Sequence, residues 1–352
     1  MDATSHRRPQ VHDGSRTRNR KMGIKLTVGK LRDAWMEYSK QSRVISQFPG
    51  GKPIFIGGTH RSGTTWFAKM LAEPGLWYIH EPYNPNKGFW HEEFSYTSIN
   101  ERSSEIDRYM TGLLRGRYRS TSLNANTDHA LMPLRLLRPT IRRVMVKDPL
   151  ACLLSGYFTK HFDFRTIVLF RHPAGFVSSV LRLGWPIGKF IRSFLNRSDL
   201  LDDHLAPFRS LMVKHQDGQD AAAATVLHGL LNTVMWNQVR QNSAITWYQF
   251  EDLCRQPIES FREIHATLGL PYDDSTLQRH ESLCFQGPSR PDAYHTHAVA
   301  RRSSAMADSW KQQLSSDQQR MIRNVWDEFE IPLYHDAMEW TCRPPKLETS
   351  VV

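Results

Sequence analysis

The stretch Gly57-Gly58-Thr59-His60-Arg61-Ser62-Gly63-Thr64-Thr65-Trp66 constrains this chain more than any other. It follows the apolar run Pro53-Ile54-Phe55-Ile56, which reads as a buried strand. It precedes Phe67-Ala68-Lys69-Met70-Leu71, which reads as the start of a helix. A glycine-rich turn between strand and helix aims backbone N–H groups and the positive helix end at an anion, usually a phosphate. The spacing Gly58-x4-Gly63 imitates a nucleotide-binding P-loop, but Thr64 occupies the place of its lysine.

Four more β-rich runs follow, at 76–80, 143–146, 166–170 and 244–250. Helical patterns separate them, at about 102–116, 150–158, 174–183, 221–242 and 257–268. The alternation predicts an α/β fold of three-layer, P-loop type, with a central parallel β-sheet flanked by helices. Residues 30–48 are expected to form a lead-in helix carrying Leu31, Trp35, Tyr38 and Ile45, ended by Pro49-Gly50-Gly51. The expected organisation is a basic tail (1–29), that helix, one α/β domain (49–342) and a C-terminal tail (343–352). Segments 84–100 and 284–309 are polar and loop-like, suited either to lids and substrate loops or to plain surface.

At 352 residues the chain can bury a substantial core. Its four cysteines lie far apart with no CxxC pair, which suits reduced thiols in a cytosolic enzyme better than a disulfide scaffold. Of the net charge of +11, the first 30 residues supply +6. That segment has no apolar run, so it reads as a basic tail, with peripheral membrane contact as its further use. No specific nucleic-acid partner is expected. No apolar stretch approaches the roughly 18–20 residues of a membrane span. The absence of an anchor points to a cytoplasmic, bacterial protein.

Open α/β sheets bind ligands at the carboxyl ends of their strands. Four runs here end in charge: the first in the glycine turn with Arg61, the second in His80-Glu81-Pro82, the third in Lys147-Asp148-Pro149, the fourth in Arg171-His172-Pro173. Pro173 suits the first position of a helix, which places Ser178 and Ser179 in its second turn. An arginine at a strand end and a serine on the next helix can converge on a phosphate through a guanidinium fork and a hydroxyl.

These residues together resemble the sulfotransferases that use 3′-phosphoadenosine 5′-phosphosulfate (PAPS). Arg61-Ser62-Gly63-Thr64-Thr65-Trp66 looks like their 5′-phosphosulfate loop, and Arg171-x7-Ser179 like their 3′-phosphate motif. Glu251-Asp252-Leu253 is similar to their Y-E-D-L element, and Ser309-Trp310-Lys311 to their C-terminal D-W-K segment. The resemblance spans about 53–330. It implies a PAPS donor held by Gly58, Arg61, Ser62, Gly63, Thr64, Thr65, Arg171 and Ser179, with Trp66 either stacked on the adenine or part of the core. The family's R-K-G cluster is not reproduced; Arg301 and Arg302 stand near its place as provisional donors.

The implied reaction is in-line sulfuryl transfer to an acceptor hydroxyl, with an amine as second choice, on a small-molecule or saccharide acceptor: a carbohydrate, glycolipid or secondary metabolite. Arg61 would stabilise the developing charge and Lys147 would hold the sulfate. Glu81 is the first choice of base, since H-E-P and F-E-P triplets occur in carbohydrate-directed branches. His80, His161 and His172 are weaker choices. No metal is required, and no ligand-spaced His/Cys set accompanies His295-Thr296-His297. Trp77, Tyr83, Trp90, Tyr96 and Trp185 could line a sugar cleft or fill the core. Two other readings stay open: a P-loop kinase or nucleoside-phosphate enzyme, which the missing lysine argues against, and a nucleic-acid or membrane-surface binder using the basic tail.

Overall fold

The computed structural model of the protein describes residues 51–87, 90–114, 142–286 and 302–340. The basic tail, the lead-in helix at 30–48, Arg301 and the tail at 343–352 lie outside the described residues.

Five strands form one sheet: β1 (Ile54–Gly58), β2 (Leu76–His80), β3 (Arg143–Lys147), β4 (Arg165–Phe170) and β5 (Ile245–Gln249). All neighbours pair in parallel, in the order β2-β3-β1-β4-β5. The central strands are apolar on both faces because a parallel sheet is covered on both sides. Phe55, Val144 and Val146 pack toward Phe158 of the Ser155–Phe162 helix and Met110 of the Ser104–Leu114 helix. Ile54, Ile56, Met145 and Leu169 face the opposite layer, with Phe67 of the Thr64–Met70 helix and Phe261 of the Pro257–Leu268 helix. The largest cluster joins Val168 and Phe170 to the Pro173–Arg182 and Ala221–Gln241 helices. The expected three-layer α/β architecture is what the chain adopts.

Strand and helix positions differ from expectation in informative places. Gly57 and Gly58 belong to β1, paired with Val168 and Leu169, so the first turn is only Thr59–Gly63. Gly58 has φ 144°, and a Cβ there would lie 2.8 Å from the Leu169 carbonyl oxygen, so only glycine lets the two strands run together this far. The Ile187–Leu195 helix escaped the sequence reading, although Ile187, Phe190, Ile191 and Phe194 mark its buried face at helical spacing. The Asp274–Phe285 helix escaped too, despite Asp273 accepting the Thr276 N–H as its cap at 2.9 Å. Phe250 begins a helix, Phe250–Arg255, rather than ending β5. Within the segment expected as loop, residues Ser303–Ala307 form a short helix.

Gly63 joins the first turn to its helix with φ 84°, and a Cβ there would sit 2.4 Å from the Phe250 ring. Gly63→Ala therefore combines a left-handed alanine with overpacking, and should cost about 2–4 kcal/mol in urea unfolding. A loss below about 0.5 kcal/mol would show that the turn can shift without penalty.

Candidate active site

The strand order assembles the site. Across the rim stand Glu81 after β2, Lys147 at the end of β3, the turn after β1, and Arg171 after β4. They border one cavity of about 620 Å³.

The turn is held by its own polar groups. The Ser62 N–H donates to the Thr59 carbonyl at 3.1 Å, and the two hydroxyls meet at 2.6 Å. Both side chains are buried. His228 of the Ala221–Gln241 helix ties the turn to β4: Nε2 lies 2.9 Å from the Arg171 carbonyl oxygen, and Nδ1 lies 3.5 Å from the Thr59 hydroxyl. A carbonyl only accepts, so Nε2 carries the proton. Burial, foremost, lowers the His228 pKa to about 3, which keeps that tautomer neutral.

Arg61 has φ 67°, and its Nε donates to the Ser179 hydroxyl at 2.9 Å. Arg171 donates to the Arg61 carbonyl oxygen, and its guanidinium lies 4.9 Å from the centre of the Phe250 ring. Its Nε is buried and has no hydrogen-bond partner among the described residues. Burial, foremost, pulls the Arg171 pKa below its ordinary value, while nearby Glu251 opposes that shift. Glu251, itself buried, accepts from the His172 N–H at 3.1 Å and from the Tyr334 hydroxyl at 2.8 Å. It thereby fixes the backbone just past Arg171. His172 caps the next helix by accepting the Ala174 N–H and stacks on Trp310 at 4.5 Å.

The other end of the cavity holds a buried ion pair. Lys147 Nζ donates to Glu81 Oε1 at 2.6 Å, with the lysine side chain 2% exposed. Glu81 has φ 52°, and Asn84 Nδ2 donates to its Oε2 at 3.2 Å. Burial alone would raise the Glu81 pKa, but Lys147, with His80, His60 and the hydrogen bond, brings it well below the carboxylate range. Lys147 pairs with Glu81 and not with its sequence neighbour Asp148, which accepts from backbone instead.

The structure brings Arg61, Gly63, Thr64, Thr65, Trp66, Arg171, Glu81 and Lys147 onto the cavity wall. Ser179 sits behind, as the partner of Arg61. Gly58 and Ser62 are inside the strand and turn, and Arg302 is exposed at the start of the Ser303–Ala307 helix; none of the three borders the cavity. Trp66 packs edge-on to Phe250 and Phe261 while still showing a face to the cavity. Of the other histidines weighed, His80 contacts Tyr78 at 2.7 Å and His161 contacts the Ile99 carbonyl at 3.1 Å, and neither borders the cavity.

Trp77, Tyr83, Trp90 and Tyr96 are buried core; only Trp185 of that set borders the cavity. Sequence reading missed His60, which lines the cavity with its ring 4.6 Å from Trp185 and Nδ1 unpaired among the described residues. Burial, foremost, lowers its pKa to about 3, so it is neutral. Its position inside the turn was the available signal.

The model of the sulfotransferase family matches residues 53–274, and the chain belongs to that family. Solved structures similar to it include the sulfotransferase domain from the curacin biosynthetic pathway, at 17% identity over 82% of this chain and 100% of that one, TM-score 0.41. Others are the sulfotransferase domain of the Synechococcus PCC 7002 olefin synthase (18%, 81% and 99%, TM-score 0.39) and a mouse sulfotransferase complexed with PAP (14%, 79% and 84%, TM-score 0.38). No curated protein matched the sequence. Among the described residues there is no group of three or more side chains able to hold a metal, and no helix long and apolar enough to cross a membrane.

The ion pair has a pH signature. Glu81 lies below its ordinary 4.5, so its contribution to stability is complete above that value and is lost as pH falls beneath it. Lys147→Met should cost on the order of 3 kcal/mol at neutral pH, as expected for breaking a buried pair. It should also flatten the acid limb of urea-unfolding stability below about pH 5. An unchanged limb would mean that the pair does not form in solution.

Proposed function

We propose that this protein transfers a sulfuryl group from PAPS to a hydroxyl, with an amine as second choice, on a carbohydrate, glycolipid or secondary-metabolite acceptor. The observation that carries the reading is the Arg171 guanidinium on the cavity wall shared with the glycine turn, with a buried Nε that has no hydrogen-bond partner among the described residues. A buried cation with an unused donor is costly unless an anion completes it. Arg61 and Ser179 beside it supply further donors for a phosphate. The residues present fit a nucleotide with two separated anionic ends, one beside Arg171 and one beside the turn.

When bound, the donor supplies an activated sulfuryl group. The chain's own residues then have distinct work. The N–H groups of Gly63, Thr64 and Thr65 open a helix, where no preceding turn supplies an acceptor, and they are available to anionic oxygens. The Ser62 N–H is already committed within the turn. The Thr64 and Thr65 hydroxyls add donors from the cavity wall. Lys147 provides a positive charge where charge develops on sulfuryl oxygens. As Lys147 turns toward those oxygens its hold on Glu81 weakens, the carboxylate becomes more basic, and it can take the acceptor's proton. Trp185, Phe190 and Leu183 supply apolar lining for the acceptor, and Asn84, Asn86 and Glu93 supply polar lining.

Two measurements test this. Arg171→Ala and Arg61→Ala should each weaken adenosine 3′,5′-bisphosphate (PAP) binding by about 10–100-fold in calorimetry, as for hydrogen bonds to charged groups. Parent-like binding in both would remove the donor assignment. Glu81→Gln should lower turnover with labelled PAPS by roughly 10²–10⁴-fold while PAP affinity stays unchanged. Unaltered turnover would exclude Glu81 as the base.

A further inference from the structure

We propose that Asp148 is a positioning residue that holds the Glu81 turn against the end of β3. The effect on turnover rests on the sulfuryl-transfer reading; the brace itself does not.

Asp148 is fully buried and ties three strands together. Its N–H donates to the Ile56 carbonyl of β1 at 3.1 Å. Its Oδ2 accepts the Tyr83 N–H at 2.6 Å, across the turn that leaves β2. Its Oδ1 accepts the Leu150 N–H at 2.9 Å, fixing the chain beyond β3. The turn held in this way contains Glu81 in a left-handed conformation, a costly state for a residue with a side chain. Such strain persists only where surrounding bonds over-determine it. The Glu81 N–H also donates to the Lys147 carbonyl at 2.7 Å, and the Tyr109 hydroxyl donates to the Pro82 carbonyl at 2.7 Å. Asp148 supplies the charged member of this set, and charge-assisted bonds are the stronger kind. Releasing Tyr83 would let the turn relax and carry the Glu81 carboxylate away from Lys147.

The groups facing Asp148 are Glu81 and Tyr83 from the turn, Tyr78 of β2, Lys147 beside it, and Cys152 beyond β3. Burial, foremost, and then Glu81 raise its pKa to about 7, against the opposing Tyr83 and Leu150 N–H groups and Lys147. A proton on the carboxyl removes its charge and occupies one oxygen's lone pair, so the brace is strongest on the alkaline side of that value.

The test is Asp148→Asn, whose amide keeps one oxygen acceptor and turns an NH2 toward the other N–H. Turnover with PAPS should fall by about 10–100-fold, the range for outer-sphere positioning groups. PAP affinity should stay within about twofold by calorimetry, Tyr83 amide exchange should accelerate, and the acid limb of the kcat profile near pH 7 should vanish. Unchanged kcat overturns the proposal, and so does a loss of PAP affinity in step with kcat, which marks a general structural role. If the variant does not fold, the parent protein decides: Tyr83 amide protection must fall together with kcat below about pH 7, and flat protection overturns the brace. A parent protein that does not bind PAP overturns the sulfuryl-transfer reading, while Tyr83 exchange still judges the brace.

Discussion

A lysine ammonium closed off from water must have an anion beside it, and the acceptor end of the site is built around that requirement. Lys147 finds its anion in Glu81, at the end of the neighbouring strand. The contact needs β2 beside β3, and it needs the left-handed bend at Glu81 that turns its carboxyl back over the rim. Arg171, a part-buried cation of the site on the other side of β1, has Glu251 as its neighbouring acid. The two cations differ in how completely they are satisfied. Lys147 has a carboxylate oxygen at 2.6 Å, whereas Arg171 Nε has no hydrogen-bond partner among the described residues.

The turn between these cations is rigid for reasons that do not involve a ligand. Thr59, Ser62 and His228 consume one another's polar groups, and Phe250 closes over Gly63. The Arg61 side chain reaches out of the turn to the Ser179 hydroxyl. A bond from a guanidinium to a neutral hydroxyl is weaker than one to a phosphate.

The sheet and most of its strand ends were legible because buried parallel strands are apolar on both faces and end abruptly in charge. Residues 76–80 and 257–268 form a strand and a helix with the bounds read from the sequence. What a single sequence does not reveal is strand order, and order decides which charges meet. Lys147 and Asp148 are adjacent in sequence, yet the lysine reaches across to Glu81 because β2 lies alongside. The aromatic residues show a similar limit. Trp77 and Trp185 look alike in sequence, but one lies under the sheet and the other borders the cavity. His228 acts as a brace through tertiary contacts that leave no local pattern, and the motif that contains Glu251 does not reveal that its carboxylate holds His172 and Tyr334.

Two carboxylates beside one lysine are driven apart by their surroundings. Glu81 takes the direct ion pair and is held well below its ordinary range, while Asp148, fully buried and bonded only to backbone, is raised to about 7. Environments that separate two acids in this way allow one of them a chemical role and the other a structural one. The arrangement also sets stability against organisation. Asp148 binds its proton more tightly in the fold than at its ordinary 3.8, so the stability it contributes in acid is lost as pH rises through about 7. Over the same interval its ionised oxygens complete the bonds to Tyr83 and Leu150. The strained Glu81 turn is thus held best in the ionisation state that the buried site favours least, and the cost falls on the stability of the fold.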